Sequence, residues 1–187
     1  QKITNKNFLK SYFFIHNSKY TKRWAKKFWG NHKNKILYPI NHLKSFKKEI
    51  IVGDDELNNN KNNLISIGRF TDEGHSKRHD YILRAFKKVQ NITSTNYKLF
   101  LVGSLDYSNS DDLKYFQQLK KLGDSNVHFF PNLKYEKLHE LLSISKIYIH
   151  AAGVEKDYIK NPETLEHFGI SVIEAMVYGL YPIVYSI

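Results

Sequence analysis

Apolar and polar positions alternate along this chain with two periods, and from residue 64 onward they do so in a regular order. Leu64-Ile65-Ser66-Ile67-Gly68 is a short continuous apolar run and reads as a buried strand. A helix is predicted over 80–90, with Ile82, Leu83, Phe86 and Val89 facing inward. Strand 98–103 follows, then helix 111–122 with Leu113, Phe116 and Leu119 inward, closed by Gly123. Strand 127–130, helix 135–142 and strand 147–150 continue the series. It ends with an apolar helix starting near Gly169 and strand 182–185. In that last helix Ile170, Ile173 and Val177 share one face, with Val172 and Met176 beside it. Five strands alternating with four helices predict an α/β fold built on a doubly wound parallel sheet. Such sheets bind ligands at the carboxyl ends of their strands.

The pattern before residue 64 is different. Phe13-Phe14-Ile15 and Ile36-Leu37-Tyr38 read as two short buried strands, the second ended by Pro39. Between them Ser18 to Gly30 reads as a helix, with Ser18 as its N-cap and Tyr20, Trp24 and Phe28 as an apolar stripe. This N-terminal β-α-β piece is too small to form a core alone. Residues 41–63 read as a connection, and the run Asn58 to Asn63 favours turns, which puts a domain boundary there.

Composition narrows the setting. The 187 residues are 41% hydrophobic, enough for a core, and include no Cys, which excludes disulfides and thiolate chemistry. No run is long and apolar enough to span a bilayer, and the N-terminus does not look like a signal peptide, so a cytoplasmic location is expected. The Asn91-Ile92-Thr93 sequon is read as chance in that setting. The formal charge is +11. The basic excess reads as spread along the chain, at Lys19 to Lys35, Lys44 to Lys48, Lys87-Lys88 and Lys120-Lys121. A basic surface attracts nucleic acid, anionic lipid or anionic substrates.

The residues with the most chemical content lie near the end of the chain, in Glu166-His167-Phe168-Gly169-Ile170-Ser171-Val172-Ile173-Glu174-Ala175-Met176. Gly169 suits a tight turn and close approach of a ligand. A helix starting beside it offers unpaired N–H groups and a partial positive charge to an anion such as a diphosphate. Glu166 stands on the loop before the helix and Glu174 about one turn inside. Carboxylates flanking an anion-binding helix start imply a ligand with both phosphate and hydroxyl groups. The first strand runs into Gly68-Arg69, followed by Lys77-Arg78 in the next loop. A strand-end glycine admits a phosphate, and Arg69 with Lys77 supplies cations for it; Arg78 is an alternative to Lys77. Gly103 ends the second of these strands, and Asn132-Leu133 form the turn after the third. His150-Ala151-Ala152-Gly153 ends the fourth, and the long segment 154–165 after it reads as a lid or an interface. His75 and His79 are spaced like metal ligands but lack a third partner, so no metal is expected. A Walker-type Gly-x4-Gly-Lys is absent, which leaves nucleotide hydrolysis without support.

The stretch Glu166 to Met176 resembles the E-x7-E motif of retaining glycosyltransferases of the GT-B fold, family 4. Gly68-Arg69 followed by Lys77 resembles that family's diphosphate cations. Asn17-Ser18-Lys19-Tyr20-Thr21 with Trp24, then Leu37-Tyr38-Pro39, resembles the closing unit of its N-terminal domain. The resemblance covers about Asn17 to Tyr185. It implies that residues 58–187 are the Rossmann-like donor-binding half of a GT-B fold, and that 1–57 are the tail of an acceptor domain plus a linker. It implies that Glu174 binds the ribose hydroxyls and Glu166 the transferred sugar, with Arg69 and Lys77 on the leaving diphosphate. Gly68, Gly103 and the backbone of Phe168, Gly169 and Ile170 would line the donor, with Asn132 and Leu133 at the base. It implies no metal or other cofactor. Gly74-His75-Ser76-Lys77-Arg78-His79-Asp80 is similar to a subgroup that includes mannosyltransferases acting on lipid-linked acceptors. That subgroup implies GDP-mannose as donor and a glycan or lipid-linked acceptor; the basic segments would suit peripheral association with an anionic membrane that carries such an acceptor. Most of the family's N-terminal domain and its last segments lie outside these residues, so donor binding without transfer is expected of this chain. Two rivals stand beside this reading: a basic nucleic-acid-binding module, which lacks a matching motif, and a catalytically silent domain that binds sugar nucleotides or a protein partner.

Overall fold

The computed structural model describes residues 11–39 and 62–185. The expected connection over 41–63, and with it the domain boundary, falls almost wholly outside them. The chain divides into two compact units, one of residues 1–41 with 166–170 and one of residues 42–165 with 171–187.

In the first unit, β1 (Phe13–His16) and β2 (Lys33–Ile36) pair in parallel around α1 (Lys19–Trp29). The helix starts where the sequence places it. The Ser18 side chain accepts from the Thr21 N–H, and the Thr21 hydroxyl accepts from the Ser18 N–H, closing a capping box. Gly30 ends it with φ 85°, a conformation that glycine takes without strain. Trp24 is buried and stacks on Phe28 at 5.5 Å. The strands depart from expectation. The second lies three residues earlier than predicted, and Phe13, Ile15 and Leu37 are 61%, 65% and 59% exposed rather than buried. Among the described residues each of these strands pairs only with the other, so the pair has too little around it to cover both faces.

The second unit contains β3 (Asn63–Ile67), α2 (His79–Ile92), β4 (Lys98–Gly103), α3 (Ser110–Leu122) and β5 (Val127–Pro131). It continues through α4 (Tyr135–Ser143), β6 (Ile147–His150), a 3-10 turn (Pro162–Thr164), α5 (Ile170–Val177, from Ser171 on) and β7 (Tyr181–Val184). The sheet order is β5-β4-β3-β6-β7, with every neighbouring pair parallel. This is the doubly wound sheet that the alternation predicts. Successive strand residues point to opposite faces and both faces are covered, which is why the strands read as continuous apolar runs. Leu64, Leu99 and Leu101 pack with Ile82, Leu83, Phe86, Phe116 and Leu119 on one face. Ile65, Phe100 and Val102 pack with Leu142, Tyr148, Ala175 and Leu180 on the other. Each fully buried side chain of this size stabilises the fold by roughly 1.5–3 kcal/mol.

Helix α5 sits differently from its predicted orientation. Ala175 is the residue buried completely, with Val172 packed beside it, whereas Ile170 and Met176 are 47% and 54% exposed. The helix is apolar nearly all round, so periodicity alone does not select a face. The small Ala side chain lets the backbone approach the sheet, and that contact decides.

The chain runs from β3 outward to β4 and β5, then returns to β6 on the other side of β3. The carboxyl ends of β3 and β6 therefore flank the point where strand order reverses, the usual ligand crevice of such sheets.

Candidate donor-binding site

At the end of β3, Gly68 and Lys77 lie against each other. A Cβ built on Gly68 would stand 2.1 Å from Lys77 Cγ, so the missing side chain is what admits the lysine stem. The loop between them is pinned from inside by buried Ser76. Its hydroxyl donates to the Thr71 carbonyl at 2.7 Å and accepts from the Arg78 N–H at 3.2 Å.

Arg78, the alternative to Lys77 in the sequence, is engaged within the protein. Its guanidinium forks onto both oxygens of Asp80 at 3.1 and 3.2 Å and donates to the Val154 carbonyl at 2.7 Å. Arg78 also has left-handed backbone, φ 51°, which costs a non-glycine residue about 1 kcal/mol or more. Its side-chain contacts offset that strain and tie the segment after β6 to the start of α2. Arg78 thus has a structural role, and the Lys77 stem lies against Gly68 at the strand end. Arg69 is exposed and lines a polar cavity of about 570 Å³ with Thr71, His75, Ser104 and Asn109. Neither Lys77 nor Glu174 lines that cavity.

His79 is completely buried and its Nε2–H donates to the Gly68 carbonyl at 3.1 Å. Burial pushes its pKa down to about 4, against a smaller upward pull from that carbonyl, so the ring is neutral at pH 7. Sequence spacing offers His79 only as a metal ligand. Among the described residues no three His, Cys, Asp or Glu side chains gather in a way that would hold a metal ion.

Gly103 closes the next strand against the first. Gly68 N–H donates to the Val102 carbonyl at 2.8 Å and Phe70 N–H to the Ser104 carbonyl at 2.9 Å. Asn132, expected at the base, is engaged within the protein. Its Oδ1 accepts from Leu105 N–H at 3.0 Å, its Nδ2 donates to the Leu105 carbonyl at 2.9 Å, and its own N–H donates to the Gly103 carbonyl at 2.8 Å. It holds left-handed backbone at φ 52°, which Asn tolerates better than most residues. Leu133 packs against the second core cluster.

Glu174 lies on α5, half-buried, and burial raises its carboxyl pKa. Tyr135 and Tyr178 are close enough for its charge to raise their own pKa values, behind the larger effect of burial. Tyr178 and His139 share a hydrogen bond that ties the end of α5 to α4. Among the described residues no group donates a hydrogen bond to the Glu174 carboxylate.

The turn before α5 belongs to the first unit. The Glu166 Oε1 accepts from the N–H groups of His167, Phe168 and Gly169 at 3.1, 3.3 and 2.9 Å. Two of the backbone donors expected to face a diphosphate, those of Phe168 and Gly169, are therefore bound to the chain's own carboxylate. Gly169 holds φ 84°, as the tight turn requires. His167 stacks on Tyr20 at 5.7 Å and Phe168 on Tyr38 at 5.9 Å.

A doubly wound parallel sheet, with a glycine-ended first strand, a lysine laid on that glycine and an acidic helix on the far side of the switch point, defines the Rossmann-like half of a GT-B fold. The chain belongs to the family described as glycosyl transferases group 1, whose model matches residues 47–187. It is 30% identical over 183 residues to the GDP-Man:Man(3)GlcNAc(2)-PP-Dol alpha-1,2-mannosyltransferase of Kluyveromyces lactis, covering 91% of this chain and 29% of that protein. Against the enzyme of the same description from Eremothecium gossypii it is 27% identical over 180 residues, covering 92% and 28%. The chain thus spans less than a third of the length of these relatives. In fold it is similar to sucrose-phosphate synthase from Thermosynechococcus elongatus, with a TM-score of 0.66 at 21% identity, covering 92% of this chain and 40% of that one. It is also similar to Anabaena HepE, solved in complex with UDP and glucose, with a TM-score of 0.63 at 17% identity, covering 91% and 43%.

Proposed function

We propose that this chain is the donor-binding part of a retaining mannosyltransferase that takes GDP-mannose and extends a lipid-linked glycan. Glu174 binds the ribose hydroxyls, Lys77 and Arg69 neutralise the leaving diphosphate, and Glu166 contacts the transferred sugar. Gly68 admits the Lys77 stem to the strand end, and Gly103 lets the two strand ends close on each other. Neutralising charge that develops on a leaving group is transition-state stabilisation. The observation that carries this reading is the Glu174 carboxylate. A carboxylate held partly out of water without a donor is unfavourable, and two vicinal hydroxyls are the donors that would satisfy it. GDP-mannose and the lipid-linked acceptor are suggested by the activities of the similar mannosyltransferases and by the Gly74 to Asp80 loop.

The test is calorimetric titration of this chain with GDP, UDP, ADP and a short oligonucleotide. Saturable binding of GDP ahead of the other three is expected. Binding of the oligonucleotide alone, with the steep salt dependence of phosphate contacts, would favour a nucleic-acid module and sink the donor reading.

An anionic membrane is the proposed working surface, on its cytoplasmic face. Counted along the chain, the positive charge is one-sided rather than dispersed. Of the 29 Lys and Arg residues, 13 precede Glu49, the first acidic residue, and the remaining 139 residues hold 16 basic against 18 acidic ones. Helix α1 presents exposed Arg23, Lys26 and Lys27 and carries no acid. Each basic residue near an anionic leaflet contributes about 1 kcal/mol. Among the described residues no helix is long and apolar enough to cross a membrane. Vesicles containing phosphatidylserine should sediment the chain at low salt and release it near about 1 M salt, where screening is short-ranged. Equal binding to pure phosphatidylcholine vesicles would refute an electrostatic surface.

A further inference from the structure

The second core cluster contains one residue that its apolar surroundings do not explain. Tyr148 is completely buried among Ile65, Phe100, Val102, Leu142 and Ala175, where phenylalanine would fill the same space. A buried phenol hydroxyl needs a partner. The Tyr148 hydroxyl donates to Ser171 Oγ at a normal O–H···O distance, 2.8 Å. The Ile67 carbonyl at 3.4 Å and His150 Nδ1 at 3.5 Å are longer contacts.

Position gives this pair its meaning. Ile67 is the residue before Gly68, on which the Lys77 stem lies. Ser171 is the second residue of α5, in its first turn and three residues before Glu174. The Tyr148 hydroxyl therefore reaches the point where the end of β3 meets the start of the acidic helix. The phenol has one proton. Given to Ser171 Oγ, it leaves the serine hydrogen free to turn toward a third group. A hydroxyl that accepts one hydrogen bond becomes a better donor in the next, because bonds in a chain polarise one another.

We propose that Tyr148 is a positioning residue for the donor diphosphate, acting through Ser171: it turns the serine hydroxyl into an oriented, polarised donor to a phosphate oxygen at the start of α5. The inference rests on the donor-site reading above and adds to it a residue that has no place in the surface chemistry of the site.

The test compares a nucleoside diphosphate with its own nucleoside. The diphosphate is the one of GDP, UDP and ADP that binds this chain; its affinity is read by calorimetry, and that of the nucleoside by NMR titration. Tyr148→Phe should weaken the diphosphate about three- to tenfold and leave the nucleoside unchanged. Ser171→Ala should weaken the diphosphate about tenfold, and the double variant should be no worse than Ser171→Ala alone. A purely structural role would loosen the helix that carries Glu174 and weaken nucleoside and diphosphate together. That result, undiminished diphosphate binding by Tyr148→Phe, or losses that add in the double variant each overturn the proposal. If Tyr148→Phe does not fold, Ser171→Ala carries the same comparison, and wild-type affinity in that variant overturns it. Failure of the unmodified chain to bind any of the three diphosphates defeats the donor reading itself, and this inference with it.

Discussion

Replacing Glu174 with alanine should weaken binding of the nucleoside diphosphate by about a hundredfold or more without lowering the melting temperature. The two halves of that expectation have one physical source. The carboxylate is half-buried, burial raises its pKa, and among the described residues no group donates to it. A folded-state pKa above the unfolded value means that ionisation at neutral pH works against the fold. Removing the group removes that penalty, and alanine is the best helix former to put in its place. In the complex the same carboxylate would accept from two ribose hydroxyls, and each hydrogen bond to a charged acceptor is worth roughly 1.5–3 kcal/mol. Losing both costs about two orders of magnitude or more in affinity. Glu174→Gln keeps shape and acceptor but not charge, so it should fall between the two. Calorimetry for affinity and thermal melting for stability check the pair. A loss under tenfold in Glu174→Ala would remove Glu174 from the ribose. A parallel fall in melting temperature would make it a structural residue of α5.

The parts of this fold that were legible in the sequence are those where one local rule acts alone. Leu64-Ile65-Ser66-Ile67 and Leu99-Phe100-Leu101-Val102 are buried on both faces, and a central parallel strand gives such a short continuous apolar run. The capped helix after Ser18 was legible because both halves of its capping box lie within four residues. Where two rules compete, or a partner is distant, the sequence is silent. Helix α5 is apolar nearly all round, so the packing of Ala175 chose its face and periodicity did not. The burial expected of Phe13 and Ile15 presumed neighbours that the two-stranded pair does not have among the described residues. In the site, the residue types and spacings marked Gly68, Lys77 and Glu174, but spacing does not separate Lys77 from Arg78. What separates them is the Val154 carbonyl, 76 residues beyond Arg78. The Tyr148 to Ser171 bond is equally non-local, and a tyrosine in an apolar strand carries no sign of where its hydroxyl points.

The two strand-end glycines lead to contrasting expectations, because what surrounds each differs. A Cβ on Gly103 would stand 1.7 Å from the Gly68 carbonyl oxygen and 2.6 Å from its carbon. Both are backbone atoms, and both strands are held there. Gly68 N–H is bonded to the Val102 carbonyl, and the Gly103 carbonyl accepts from Asn132. Neither side can give without breaking the ladder, so Gly103→Ala should cost about 3 kcal/mol or more, the upper range for overpacking. In a chain of this size that lowers the melting temperature by about 10 °C. The nearest atoms a Cβ on Gly68 meets are those of the Lys77 side chain, at 2.1 Å from Cγ and 2.8 Å from Cβ. The lysine and its loop must move, and the β3–β4 ladder need not. Gly68→Ala should therefore melt closer to the unmodified chain, yet bind the diphosphate about tenfold or more weakly as the cation leaves its place. Two substitutions of the same kind, one costing mainly stability and the other mainly affinity, would locate the diphosphate at Gly68. If Gly103→Ala melts with the unmodified chain, the close approach of the two strand ends is wrong. If Gly68→Ala binds as tightly as before, Lys77 does not hold the phosphate, and Arg69 becomes the cation to test.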